Sequence, residues 1–191
     1  TSEQFAFAKS HAAESGIEIS GEVSLNLDTV MKKKDKVVAQ LTGGVDMLVK
    51  KRGITRFNGH GKLLGDGKIS IDDKEEITAS KIVLATGSVP IELPFLKFDK
   101  KTIVSSDQAI AFDTVPENLV VIGAGAIGLE MGSVWSRYGS KVVVLEFLPK
   151  IAAGMDDDVS KLLERSLKKQ KLDIHTETKV TGAKEIDGKL L

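Results

Sequence analysis

The stretch that most constrains the fold runs from Leu119 to Glu146, LVVIGAGAIGLEMGSVWSRYGSKVVVLE. It opens on an apolar β-type run, Leu119–Ile122. A glycine cluster follows, Gly123-Ala124-Gly125-Ala126-Ile127-Gly128, which fits G-x-G-x-x-G. A helical pattern then spans Ala126 to Tyr138 and Gly139 stops it. A second β-type run, Lys141–Leu145, ends on an acid, Glu146. A bare G-x-G-x-x-G is a weak signal. Strand, turn, helix, second strand and terminal acid in register make the dinucleotide-binding fingerprint. Gly123 permits the tight turn, Gly125 lets backbone approach a pyrophosphate, and Gly128 lets the helix pack on the strand. The first amides of the helix and its dipole favour phosphate charge. Glu146 stands about 20 residues on, where a carboxylate can accept from a ribose diol. The alternative is a glycine-rich turn in an unrelated α/β protein.

At 191 residues the chain has room for one large domain or two small ones. Lys+Arg and Asp+Glu both number 27, so net charge is zero. That balance argues against nucleic acid or an anionic membrane as the main partner. No apolar run approaches membrane-spanning length. The first residues, TSEQFAFAK, match neither a signal nor a transit peptide. There is no cysteine, which excludes disulfides, thiolate metal sites and cysteine nucleophiles within these residues. His11, His60 and His175 are far apart and lack ligand spacing, so no metal site is expected.

Upstream of the glycine turn, residues 3–15 read as a helix stopped by Gly16, and Ile17–Leu27 as an extended segment broken at Gly21. Asp28 is the expected N-cap of a long helix to about Lys51, with an apolar stripe of Val30, Val37, Val38, Leu41, Val45, Leu48 and Val49. Lys32, Lys33, Lys34 and Lys36 read as a solvated outer face, with an anionic cofactor contact as the alternative. Ile54–Asn58 and Lys62–Leu64 read as short strands. Asp66-Gly67 is a hairpin signal, and 52–77 reads as a small antiparallel or mixed β layer. Lys81–Ala85, KIVLA, is expected to be a buried strand. Thr86-Gly87-Ser88 stands at its carboxyl end, where ligands lie in open α/β sheets. Ser105 or Ser106 can cap a short helix, and a domain boundary is expected near Pro116.

Downstream, Phe147–Met155 reads as a loop. Asp156, Asp157 and Asp158 read as acids capping a helix from Val159 to Gln170 rather than as a metal site. Leu172–His175 and Lys179–Thr181 are expected strands, Asp187-Gly188 an expected turn, and Leu191 the start of a further strand.

Several stretches together resemble the flavoprotein disulfide reductases, most closely their lipoamide branch. They are KKKDKVVAQLTGG (32–44), FNGHGK (57–62), KIVLATGS (81–88), TIVSSDQAI (102–110), PENLVVIGAGAIGLEMGSVW (116–135), VVVLEF (142–147) and TKVTGA (178–183). The resemblance covers nearly the whole chain. It implies an α/β fold of two Rossmann-like dinucleotide-binding domains, both incomplete here, with the β layer in the first. Residues 1–115 would be the C-terminal part of an FAD-binding domain, and 116–191 the N-terminal part of an NAD-binding domain.

By the same resemblance, Gly61 matches a glycine that contacts the flavin nucleotide, and Thr86, Gly87 and Ser88 match a turn approaching FAD. Gly123, Ala124, Gly125, Ala126, Ile127, Gly128, Leu129 and Glu130 match the NAD pyrophosphate turn. Glu146 matches the ribose-binding acid and Val180 a residue near the adenine. Glu130 has Ile127, Met131 and Val134 as helix neighbours. In the family the matching glutamate pairs with a lysine near the flavin, a flavin-side supporting role; the alternative is a rim residue in water. Pro94-Phe95 stands where many relatives have Pro-Gly.

The implied activity of an intact member is oxidation of a dihydrolipoyl dithiol, with electrons passing through a cysteine pair and FAD to NAD. The partner would be the dihydrolipoyl group of a 2-oxoacid dehydrogenase or glycine cleavage complex. A homodimer in bacterial cytoplasm or mitochondrial matrix is expected. The family's first G-x-G-x-x-G, its C-x-x-x-x-C pair and its His–Glu pair have no match in these residues. The chain alone is therefore expected to be inactive and of poor stability. Other disulfide reductases and a stand-alone NAD-binding module remain as alternatives.

Overall fold

The computed structural model describes residues 1–186, 189 and 190. The chain divides into two compact units, Thr1–Lys32 with Pro90–Leu191, and Lys33–Val89.

In the first unit, α1 (Ser2–Ser10) is followed by a 3-10 turn at Ala13–Ser15. The helix expected over 3–15 therefore breaks after Ser10. The Ile17–Leu27 segment joins no sheet among the described residues. A parallel sheet holds the core: β4 (Asn118–Ile122), β5 (Lys141–Leu145) and β6 (Leu172–His175), in the order β4-β5-β6. The helix α4 (Ala126–Tyr138) links β4 to β5, and α5 (Asp157–Lys169) links β5 to β6. Parallel neighbours require such crossovers. The central strand KVVVL alternates, with Val142 and Val144 buried. They pack with Ala124, Leu129, Ile151, Leu167, Leu172 and Ile174. Each valine, leucine or isoleucine among them stabilises by roughly 1.5–3 kcal/mol on full burial.

Elements end where the sequence has stop residues. Gly139 terminates α4 in the left-handed region, at φ 115°. Asp156 accepts from Asp158 N and caps α5, which starts two residues before the expected Val159. Asp157 pairs with Lys150 at 2.6 Å and Asp158 with Lys161 at 3.4 Å. Ser105 caps α3 (Ser106–Ala109) with Gln108 in a reciprocal capping box. Trp135 is buried, donates Nε1–H to Ala109 O at 2.9 Å, and lies against Phe112 and Tyr138. Lys179–Thr181, expected as a strand, joins no ladder among the described residues. After it come the short antiparallel strands β7 (Glu185–Ile186) and β8 (Lys189–Leu190). The Asp187-Gly188 turn and Leu191 lie outside the described residues.

The long helix α2 (Leu27–Lys51) spans the division between the units. Its cap is Asn26 rather than Asp28: Asn26 Oδ1 accepts from Thr29 N at 2.9 Å. Asp28 instead sits in the first turn and pairs with Lys32 at 2.6 Å. Two residues separate the observed cap from the expected one, and both side chains have capping chemistry.

In the second unit, the β layer is antiparallel, β1 (Gly61–Gly65), β2 (Lys68–Ile71) and β3 (Glu75–Thr78), in that order. Asp66 and Gly67, at φ 48° and 75°, form the two-residue turn that a tight hairpin needs. Ile54–Asn58, expected as a strand, joins no ladder among the described residues. Lys81–Ala85 is a larger correction. It is neither a strand nor buried: Leu84 is 69% exposed. A parallel-sheet strand is stable only with partners on its flanks and cover on its faces, and among the described residues KIVLA has no ladder partner.

Candidate functional site

The candidate site is the turn between β4 and α4. Gly123 N donates to Leu145 O at 2.8 Å, continuing the ladder past Ile122. The chain then turns at Gly123 with φ 100°, a region that strains any side-chain-bearing residue. Ala124 is buried, and its O accepts from Ala152 N at 2.8 Å. Gly125 is the N-cap of α4, and a Cβ there would meet no atom within 4 Å. The surface beside the turn is therefore open to a ligand. Gly128 is the opposite case. A Cβ there would fall on Gly123 O and stand 3.0 Å from Val121 Cγ1. That glycine permits the helix to lie against its own strand.

Leu129 makes the first intrahelical bond of this end, to Gly125 O at 3.1 Å. Helix geometry leaves the N–H groups of Ala126, Ile127 and Gly128 without an intrahelical acceptor. Three amides at the positive end of a helix dipole are the donors an anionic diphosphate needs.

Glu146 follows β5 and is half-buried. Its backbone N donates to His175 O at 2.8 Å, and its O accepts from Thr178 N at 2.8 Å. These bonds lay the segment after β6 alongside it. Val180, two residues beyond Thr178, is half-buried. The glycine turn, Glu146 and the Val180 segment are thus brought together. Leu129 points into the core, while Ile127 and Glu130 are exposed. Glu130 lies near the start of α4, beside the glycine turn.

The flavin-side residues lie in the second unit. Gly61 starts β1, and Thr86, Gly87 and Ser88 are exposed in a segment with no strand pairing. No hydrogen bond joins Gly61 to that segment among the described residues. They do not by themselves form a cradle for a flavin. An open depression of about 330 Å³ in this unit is lined by His60, Lys62, Asp72 and Asp73. Its floor is a hairpin turn whose Asp72 Oδ1 accepts from His60 N at 2.7 Å.

Sequence reasoning missed two features. One is Gly132, where a Cβ would stand 3.3 Å from Val142 Cγ1, so the helix also approaches β5 closely. The G-x-x-x-G spacing of Gly128 and Gly132 on one helix face was the available signal. The other is the bond from Ala124 N to Glu146 Oε2, 2.6 Å. Nothing in a linear pattern announces it.

Residues 4–190 match the pyridine nucleotide-disulphide oxidoreductase family. The mitochondrial dihydrolipoyl dehydrogenase of Dictyostelium discoideum is 44% identical over 180 residues, covering 92% of this chain and 37% of that protein. The leghemoglobin reductase of Glycine max is 46% identical over 179 residues, covering 92% of this chain and 34% of that one. Among solved structures, LpdA from Mycobacterium tuberculosis superposes with a TM-score of 0.79 at 19% identity, over 99% of this chain and 44% of that one. That structural likeness speaks for the fold. The chain spans about a third of the length of the curated relatives it matches.

Proposed function

The chain belongs to the pyridine nucleotide-disulphide oxidoreductase family, and on that premise we propose that it is the nucleotide-binding portion of a dihydrolipoyl dehydrogenase. FAD and NAD are the cofactors of that family. In this reading residues 1–115 serve the flavin side and 116–191 the NAD side. The turn from Gly123 to Glu130 takes the NAD diphosphate, Glu146 the adenosine ribose, and Val180 lies near the adenine. Gly61, Thr86, Gly87 and Ser88 contact FAD, and Glu130 supports the flavin side. The intact protein would oxidise the dihydrolipoyl group of a 2-oxoacid dehydrogenase or glycine cleavage complex, as a homodimer, in bacterial cytoplasm or mitochondrial matrix.

The supporting observation is the turn: three helix-start amides without intrahelical acceptors, an open Gly125, and a carboxylate beside them. The NAD residues fit their ligand. When bound, NAD supplies a hydride acceptor. The residues here bind and orient it: the amides hold the diphosphate, and Glu146 accepts from ribose hydroxyls. A 2′-phosphate would meet that carboxylate and be repelled, so NAD is favoured over NADP. With no cysteine among its residues, this chain contributes no thiol to the reaction.

The test is dihydrolipoamide-dependent reduction of NAD by the native-length protein, with Glu146→Lys beside it. The substitution is expected to raise the KM for NAD roughly tenfold to a hundredfold, by loss of charge-assisted hydrogen bonds. A protein that binds no NAD would overturn the reading. NAD binding without dihydrolipoamide oxidation would favour a different disulfide reductase, or an NAD-binding module without catalysis.

A further inference from the structure

We propose that Glu146 is a positioning residue as well as a ribose ligand: its carboxylate ties the glycine turn to the loop after β5 and holds the turn's amides in place for a diphosphate. This rests on the nucleotide reading above and extends it.

Both carboxylate oxygens are engaged by backbone. Oε2 accepts from Ala124 N at 2.6 Å, and Oε1 accepts from Leu148 N at 2.8 Å. Ala124 is 1% exposed, so water offers its amide little alternative. Removing the carboxylate would leave a buried donor unsatisfied, which the turn can relieve only by moving. The remaining bonds of the turn are main chain to main chain: Gly123 N to Leu145 O, and Ala152 N to Ala124 O, each 2.8 Å. The Ala124 amide alone depends on a side chain for its partner. It immediately precedes Gly125, the N-cap of α4. A shift at Ala124 therefore moves the N-cap and, with it, the amides of Ala126, Ile127 and Gly128.

The two roles are compatible. A carboxylate oxygen has two lone pairs, so one backbone bond on each leaves an acceptor position on each for the two ribose hydroxyls. They are also separable. A ribose ligand matters only to a ligand that carries the hydroxyls. A turn anchor matters to any ligand that carries the diphosphate.

The experiment is calorimetric titration of the native-length protein with ADP-ribose and with its 2′,3′-dideoxyadenosine analogue, neither of which exchanges electrons with a flavin. Wild type, Glu146→Ala and Glu146→Gln are compared, with melting temperature recorded for each. Glu146→Ala is expected to weaken the dideoxy ligand about tenfold, although that ligand has no hydroxyl for the carboxylate to meet. Glu146→Gln, with one acceptor oxygen for two N–H donors, is expected to fall between. A variant that melts like wild type and binds the dideoxy ligand as tightly would overturn the anchoring role, leaving ribose binding intact. Where the alanine variant does not fold, the isosteric glutamine variant decides by the same comparison. Failure of wild type to bind ADP-ribose would instead strike the nucleotide reading itself.

Discussion

Val144 and Val83 sit in closely similar runs, VVVLE and KIVLA, and end in opposite environments. Val144 is fully buried; Val83 is 88% exposed. The strand of Val144 is hydrogen-bonded on both flanks, to β4 and β6, and packs against α4. The run of Val83 has no ladder partner among the described residues. The same contrast holds for helices. α4 buries Leu129, Gly132, Ser133, Trp135 and Tyr138, whereas α2 buries none of its 25 residues among those described. Apolar patterning states what a segment can pack against, and only neighbours turn that capacity into structure.

Three substitutions, in order of expected effect, would sharpen or break this contrast. Trp135→Ala removes the largest buried side chain together with its bond to Ala109 O. It is expected to lower the stability of the first unit by about 3–5 kcal/mol in denaturant titration. A loss under about 1 kcal/mol would mean that this core does not hold the unit. Asp72→Ala comes next. Asp72 N donates to His60 O at 3.0 Å and its Oδ1 accepts from His60 N at 2.7 Å, clamping the Gly59–Gly61 bend to the β2–β3 hairpin. Its φ of 51° suits Asp, Asn or Gly. Asp72→Ala should cost about 1 kcal/mol and speed amide exchange at His60, while Asp72→Asn stays near wild type. Equal effects from both would show that the carboxylate charge, rather than the acceptor, matters. The smallest change is expected from Leu41→Ala on the exposed stripe of α2, within about 0.5 kcal/mol in the 191-residue chain. A loss of 2 kcal/mol or more, on the order of a buried-leucine truncation, would show that this face is covered.

The sequence was most legible where structure is locally determined. The bounds of α4 and β5 follow from Gly125, Gly139 and the apolar run between Lys141 and Leu145. The Asp66-Gly67 hairpin and the Ser105 cap are likewise written in a few adjacent residues with special backbone chemistry. It was least legible where pairing decides. Ile54–Asn58, Lys81–Ala85 and Lys179–Thr181 all have strand-like composition and no ladder among the described residues. Choosing Asp28 over Asn26 as a cap was a two-residue error between side chains that both cap helices. At the site, the glycines were readable because each answers a steric demand of the turn. The Glu146–Ala124 bond was not, because it joins residues 22 apart through a side-chain torsion.

Trp135 is the sole tryptophan of the chain. It rides on the helix that starts at the glycine turn, nine residues after Ala126, so about 14 Å along the axis. Its indole is walled off from solvent, and its emission overlaps the absorption of a dihydronicotinamide. The fold has thereby set a single tryptophan at energy-transfer range from the proposed nucleotide site. Occupancy of the turn can be followed by quenching at one wavelength, with no label and no competing tryptophan within these residues.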